Sequence, residues 1–334
     1  MAAAQAPIAV LGAGSWGTAL ALQFARSGRP VRLWGRDSAQ LEAMSTARVN
    51  ERYLPGAAFP DNLAVEPDLD TCLRDAHDIL VAVPSHGLRE LLDHIAPLLD
   101  PRARVCWATK GFELETGKLP HQVALEILGD ERPLAVLSGP TFATEVGRGL
   151  PTAMTIAANN PEFAGELATT LSGDNFRAYT SEDMIGVEVG GAVKNVLAIG
   201  AGLSDGLGFG ANTRIALINR GLVEMTRLGV ALGANQETFM GLAGMGDLVL
   251  TCTDDQSRNR RMGLLLAAGK SLEEAQEEIQ QVVEGVLAAK AVRKVAEDKY
   301  VVMPICSEIY RILYEGVSPR EAVSALMGRA LKPE

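Results

Sequence analysis

The sequence predicts an α/β first half, built on a doubly wound parallel sheet, followed by an all-helical second half. Three observations predict it. Ile8-Ala9-Val10-Leu11 is a short apolar run that leads into Gly12-Ala13-Gly14-Ser15-Trp16-Gly17 and then into apolar residues at helical spacing, Leu20, Leu22 and Phe24. That is the strand, tight turn and helix of a dinucleotide-binding unit. Up to about residue 181, short apolar runs alternate with helical stretches, as in a parallel sheet covered by helices. Beyond that point strand signals stop and helical periodicity takes over.

Each glycine of the G-x-G-x-x-G run has its own reason. Gly12 allows the tight turn, Gly14 lets a pyrophosphate approach the backbone without meeting a Cβ, and Gly17 lets the helix pack against the strand. The helix start offers free N–H groups and the positive end of its dipole to phosphate. A second strand, Val31-Arg32-Leu33-Trp34, follows at about the spacing a Rossmann-type unit requires. It ends in Gly35-Arg36-Asp37, where the adenosine ribose is read. Arg36 suits the 2′-phosphate of NADP, so NADP is accepted as well as NAD. Asp37 either touches the ribose or caps the next helix in a box with Gln40.

Residues 50–62 hold Pro55, Gly56, Pro60 and Asp61 and read as a loop. Strands resume at Ala64–Glu66 and at Asp78–Val83, the second a central strand buried on both faces and ended by Pro84. His86 beyond it is not selected. Arg104–Thr109 is another strand, delivering Lys110-Gly111 to the carboxyl edge where ligands of open α/β sheets sit. Lys110 there meets an anion, or is a surface lysine. Leu134–Leu137 ends in Ser138-Gly139-Pro140-Thr141-Phe142-Ala143, a turn whose N–H groups and Thr141 hydroxyl suit a small polar ligand. Thr152–Ala157 and Phe176–Tyr179 are further strands.

The second half opens with a helix start at Ser181-Glu182-Asp183 and runs through Gly190-Gly191-Ala192-Val193-Lys194-Asn195-Val196. A lone lysine among small apolar residues costs free energy to bury unless it is paired, and desolvation suits it to proton transfer. The alternative is a lysine that snorkels to the surface. Gly241–Gly246 introduces Asp247, and Thr251 lies one helical turn later on the same face. Asp247 pairs with Lys194 or caps a helix. Ser257-Arg258-Asn259-Arg260-Arg261 is a basic knot in an acidic chain, either a phosphate site or a solvated helix face. Ser271 with Glu274, and Ser318-Pro319 with Glu321, are helix starts, and Gln281–Gly285 ends or begins a helix. We place a dinucleotide-binding domain at 1–185 and a helical domain for substrate and catalysis at 186–334. The tail, Lys332-Pro333-Glu334, is expected to fray.

Composition narrows the function class. A net charge of −10 over 334 residues argues against a nucleic-acid binder. The four cysteines, Cys72, Cys106, Cys252 and Cys306, are too dispersed for a disulfide framework or a zinc site and read as buried thiols; no metal is expected. Met1–Pro7 has neither a basic nor an apolar signal region, and no apolar run is read as long enough to span a membrane, so a cytoplasmic protein without membrane insertion is expected.

Taken together, Gly12–Ala19, Ala108-Thr109-Lys110-Gly111, Ser138–Ala143, Gly191–Asn195, Gly244-Met245-Gly246-Asp247-Leu248 and Cys252–Arg260 resemble bacterial NAD(P)-dependent glycerol-3-phosphate dehydrogenases almost end to end. The resemblance implies interconversion of sn-glycerol 3-phosphate and dihydroxyacetone phosphate, and a role in supplying glycerol 3-phosphate for phospholipid synthesis. It implies Lys194 as the proton acceptor, Asp247 as its support, and Lys110 in contact with both cofactor and substrate. It places Gly139, Thr141, Ser257, Arg258 and Asn259 on the substrate. Ser15, Trp16, Arg36, Ala143, Arg258, Val282 and Glu284 fall at cofactor positions. A hydroxyacid dehydrogenase of similar plan and a non-catalytic NAD(P)-binding sensor are the rival readings. A homodimer through the helical half is compatible with the sequence.

Overall fold

The protein is seen here in a computed structural model that describes residues 6–330. The Lys332-Pro333-Glu334 tail lies outside the described residues. The chain divides into two compact units, the first made of Met1–Lys110 and Pro120–Met184, the second of Gly111–Leu119 and Ile185–Glu334. The second unit thus takes in a short segment from the first half of the chain. Phe112 and Leu119 from that segment join its hydrophobic core.

The strands of the first unit are β1 (Ile8–Leu11), β2 (Val31–Trp34), β3 (Val49–Asn50), β4 (Leu54–Ala58), β5 (Leu63–Val65), β6 (Asp78–Val81), β7 (Arg104–Trp107), β8 (Leu134–Ser138), β9 (Thr152–Ala158) and β10 (Phe176–Ser181). Eight of them form one sheet in the order β10-β9-β8-β7-β6-β1-β2-β5. Its helices are α1 (Ser15–Arg26), α2 (Ser38–Ala47), α3 (Leu69–Leu73), α4 (Leu88–Ile95), α5 (Pro120–Leu128), α6 (Ala143–Arg148) and α7 (Pro161–Leu171). The sheet is parallel, as the strand–helix alternation predicts, except where β8 meets β9 antiparallel through the Gly139-Pro140 turn and α6. β1, β6 and β8 are buried along their whole length, which is why each is a continuous apolar run rather than an alternating one.

The expected loop at 50–62 is not all loop. β3 and β4 pair antiparallel within it. Pro55 and Gly56 weaken a strand only where its N–H groups must serve two neighbours, and a two-stranded ribbon makes no such demand. Asp37 caps α2, its carboxylate accepting from the Gln40 N–H. The box is not closed, because the Gln40 amide donates instead to the Ala13 carbonyl.

The second unit is built from α8 (Met184–Gly206), α9 (Ala211–Ala231), α10 (Asp247–Thr253), α11 (Arg258–Ala267), α12 (Leu272–Ile279), α13 (Glu284–Asp298), α14 (Pro304–Tyr314) and α15 (Pro319–Met327). Ser271 and Ser318 each close a capping box, with Glu274 and Glu321. The two boxes satisfy N–H groups that would otherwise be orphaned at the helix starts. At 23 residues and a mean hydropathy of 1.4, α8 is long and apolar enough to cross a membrane, contrary to the reading that no run reaches that length. Its glycines and lone lysine hid its length, yet 94% of its apolar stretch is buried inside the protein. α8 is apolar all round because it is the core helix of the unit. A Cβ on Gly202 would lie 2.0 Å from the Arg260 carbonyl oxygen, and one on Gly263 would lie 2.1 Å from that of Ile199. Backbone therefore packs on backbone where α8 crosses α11. All four cysteines are buried and unbridged, and burial pushes the Cys72 and Cys252 thiols up to about 12, which leaves them inert.

Candidate active site

In the first unit the candidate residues gather at the carboxyl ends of the sheet strands. Gly12, with φ of +128°, makes the turn out of β1, and a Cβ there would lie 2.5 Å from the Ala82 carbonyl oxygen. A Cβ on Gly17 would lie 1.9 Å from the Gly12 carbonyl oxygen, so turn and helix close on each other only as glycines. Gly14 is the opposite case. Nothing lies within 4 Å of where its Cβ would stand. It also caps α1 without a side-chain hydrogen bond, and the first turn carries no acidic residue. Open space beside uncapped N–H groups at a positive helix end fits a pyrophosphate. The Trp16 Nε1 is buried with no hydrogen-bond partner among the described residues, a donor left for a ligand. The residues present therefore fit a dinucleotide.

Arg36 follows β2 exposed, and its side chain makes no hydrogen bond or ion pair among the described residues. Lys110 follows β7 half-buried, beyond Thr109, whose hydroxyl donates to the Val83 carbonyl at 2.7 Å. At the end of β8 the buried Ser138 hydroxyl is unsatisfied among the described residues. The Thr141 hydroxyl bonds the Gly139 carbonyl at 3.2 Å, and Ala143 opens α6.

In the second unit α8 carries Lys194 into the interior, 6% exposed. Its Nζ donates to the Asp247 carboxylate and, at 3.0 Å, to the Thr251 hydroxyl. Thr251 in turn gives its own proton to the Asp247 carbonyl at 2.6 Å, so toward the lysine its oxygen is an acceptor. Asp247 is fully buried and is not an N-cap; Gly246 holds that position. Burial penalises the ammonium, and the carboxylate with the hydroxyl offsets that penalty. The result is a lysine held at a fixed point in a buried site with a proton to give or a place to take one.

Asn195, the next residue, extends the arrangement. Its Oδ1 accepts from the Asn259 Nδ2 at 2.9 Å, and its Nδ2 donates to Glu284 at 3.4 Å. The Asn259 Oδ1 accepts from the Gly285 N–H at 2.8 Å. One N–H of the Asn259 amide is then left for a ligand. Ser257 caps α11 by accepting from the Arg260 N–H at 3.2 Å, so its hydroxyl can still donate. Arg258 is half-buried and makes no side-chain bond among the described residues, whereas Arg260 is buried and bonded to the carboxylates of Asp205 and Asp255. The basic knot is therefore neither all phosphate site nor all solvated face. Val282 is exposed just ahead of α13. Asn195 was not selected from sequence; an amide side chain inside a small-residue buried helix was the available signal.

Comparison with known proteins accounts for nearly the whole chain. Residues 7–164 match the model of the NAD-dependent glycerol-3-phosphate dehydrogenase N-terminus, and residues 183–324 match that of its C-terminus. The chain belongs to the NAD-dependent glycerol-3-phosphate dehydrogenase family. Within the family it is 56% identical to the glycerol-3-phosphate dehydrogenase [NAD(P)+] of Klebsiella pneumoniae (strain 342), over 100% of this chain and 99% of that one. It is 54% identical to that of Idiomarina loihiensis, over 98% of each. Among solved structures, glycerol-3-phosphate dehydrogenase from Coxiella burnetii matches with a TM-score of 0.95 at 48% identity, covering 98% of this chain and 100% of that chain. D-Mandelate dehydrogenase, at 14% identity and a TM-score of 0.62, shares the fold.

Proposed function

We propose that Lys194 is the proton carrier of an NAD(P)-dependent glycerol-3-phosphate dehydrogenase, and that Arg258 and Asn259 hold the substrate phosphate. The reaction interconverts sn-glycerol 3-phosphate and dihydroxyacetone phosphate. The observation that carries the reading is the buried Lys194, bonded to both Asp247 and Thr251. The dinucleotide, when bound, accepts or supplies the hydride at C2. Gly12, Gly14 and Gly17 would hold its pyrophosphate with the Ser15 and Trp16 N–H groups. Arg36 would take the ribose phosphate of NADP, and Lys110, Ala143, Arg258, Val282 and Glu284 would complete its contacts. In oxidation Lys194 takes the C2 hydroxyl proton; in reduction it returns that proton to the carbonyl oxygen. Asp247 and Thr251 aim the Nζ in both directions. Lys110, Gly139, Thr141 and Ser257 would orient the rest of the substrate, and Arg258 brings a guanidinium not committed elsewhere to the phosphate. Binding energy at that remote group then places C2 and raises turnover as well as affinity.

The partners on this reading are the small phosphorylated substrate pair, and the product serves glycerophospholipid synthesis. A cytoplasmic homodimer that neither inserts in membranes nor binds nucleic acid is part of the same proposal, supported by the burial of α8. Cell fractionation and light scattering test it. The activity is tested by loss of NADPH absorbance on adding dihydroxyacetone phosphate, with NADH alongside. Rapid loss is expected with either cofactor. Bound NADPH with no loss would refute the reading, and hydroxyacids or simple ketones would then be assayed.

A further inference from the structure

We propose that Arg260 is a positioning residue that holds the Ser257-Arg258-Asn259 segment in register with the Lys194–Asp247 pair; the proposal rests on the reading that these two groups act on one substrate. Arg260 is a buried cation, 8% exposed, beside residues that meet ligand. Its guanidinium makes three hydrogen bonds inside the second unit. Nη1 donates to Asp205 at 2.5 Å and to the Cys252 carbonyl at 3.3 Å, and Nε donates to Asp255 at 2.9 Å. Asp205 also receives Arg214 from α9 at 2.7 Å.

The anchors sit on the elements that carry the proton site. Asp205 lies eleven residues, about three turns, beyond Lys194 on α8, and so on the same face. Cys252 follows Thr251 on α10. Asp255 lies in the loop that connects α10 to α11. On the backbone side, the Arg260 carbonyl abuts Gly202 of α8 where no Cβ would fit. One planar fork thus ties α8, the end of α10 and the following loop to the first turn of α11, directly after Arg258 and Asn259. A lysine cannot reproduce it, because a single ammonium on a flexible stem cannot reach carboxylates on two sides in a fixed plane.

The distance from phosphate site to proton site matters only for a substrate that has both ends. The test is the ratio of kcat/KM for dihydroxyacetone phosphate to kcat/KM for dihydroxyacetone, which lacks the phosphate, in Arg260→Lys and Asp255→Asn. The Asp255 side chain is 72% exposed, so Asp255→Asn takes the charge from one anchor without emptying the core. The ratio is expected to fall at least about tenfold in Arg260→Lys and about threefold in Asp255→Asn, since about 1 Å of misplacement can cost on the order of a hundredfold. A wild-type ratio in both variants, whatever their melting temperatures, overturns the proposal. So does an equal fall in kcat/KM for dihydroxyacetone phosphate and for dihydroxyacetone. If Arg260→Lys does not fold, Asp255→Asn decides alone. Wild-type protein that fails to reduce dihydroxyacetone phosphate refutes instead the functional reading beneath it.

Discussion

Replacing Lys194 with Met keeps the apolar stem and removes the charge. Asp247 is then a carboxylate with 1% of its side chain exposed that has lost its Lys194 partner. Removing one partner of a buried ion pair costs about 3–5 kcal/mol, because the stranded charge keeps its desolvation penalty and loses its compensation. At about 2–4 °C per kcal/mol for a folding unit of roughly 150–250 residues, Tm should fall by about 6–20 °C. Turnover should fall by at least about 10²–10⁴-fold, the usual contribution of a general acid–base. NADPH affinity should be retained, because the pyrophosphate turn lies in the other unit. The double variant Lys194→Met/Asp247→Asn leaves no charge behind, so it should recover more than half of the lost stability and none of the activity. Thermal unfolding, NADPH titration and the absorbance assay on the three proteins read all of this. Near-normal turnover in Lys194→Met would refute the proton role. A double variant as unstable as the single one would refute the charge-pair account even if turnover were lost.

Two glycines of one motif should behave oppositely. Gly17→Ala forces a Cβ to 1.9 Å from the Gly12 carbonyl and should unfold the first unit, seen by circular dichroism. Gly14→Ala meets nothing within 4 Å, so it should change stability by no more than about 0.5 kcal/mol while weakening NADPH binding, seen by fluorescence titration. Arg258→Met should raise KM for dihydroxyacetone phosphate by about 10–100-fold through loss of a charged hydrogen bond worth about 1.5–3 kcal/mol, and unchanged kinetics would remove Arg258 from the site. Glu224, buried beneath α14, accepts from the N–H groups of Ile305 and Cys306, and burial raises its carboxyl above the ordinary value of 4.5. A raised carboxyl contributes stability that is full below its unfolded value and lost as pH rises through the folded one. The stability of the wild type relative to Glu224→Gln should therefore increase as pH falls from neutral toward 4.5, and a pH-independent difference in urea unfolding would refute the assignment.

Much of the fold was legible because its signals are local. The run from Ile8 to Gly17, the buried strands at Asp78 and Leu134, and the capping boxes at Ser271 and Ser318 each follow from a few adjacent residues. The β3–β4 ribbon was not legible, since Pro55 and Gly56 look the same in a loop and at a lightly bonded edge. The length of α8 was masked by glycines, among which Gly202 meets the backbone of α11 and Gly190 that of Ala243 and Gly244. A pattern along the chain does not reveal a partner that arrives from elsewhere.

The candidate site divides along the same line. By itself the sequence determined the G-x-G-x-x-G turn and the family, and it picked out a buried lysine and a basic run as candidates for proton and phosphate. Those are properties of motifs, each a few residues long. Only the tertiary structure decided between the two roles open to Asp247 and the two fates open to the arginines of the basic run. Asp247 had to be brought 53 residues along the chain to Lys194 before it was a partner rather than a cap. Asn259 had to meet Asn195 and Gly285 before one of its amide hydrogens was left for a ligand. Arg258 and Arg260 are equivalent letters in one basic run. Helix packing buries Arg260 and pairs it with Asp205 and the exposed Asp255, as a buried guanidinium requires, while Arg258 makes no such bond among the described residues.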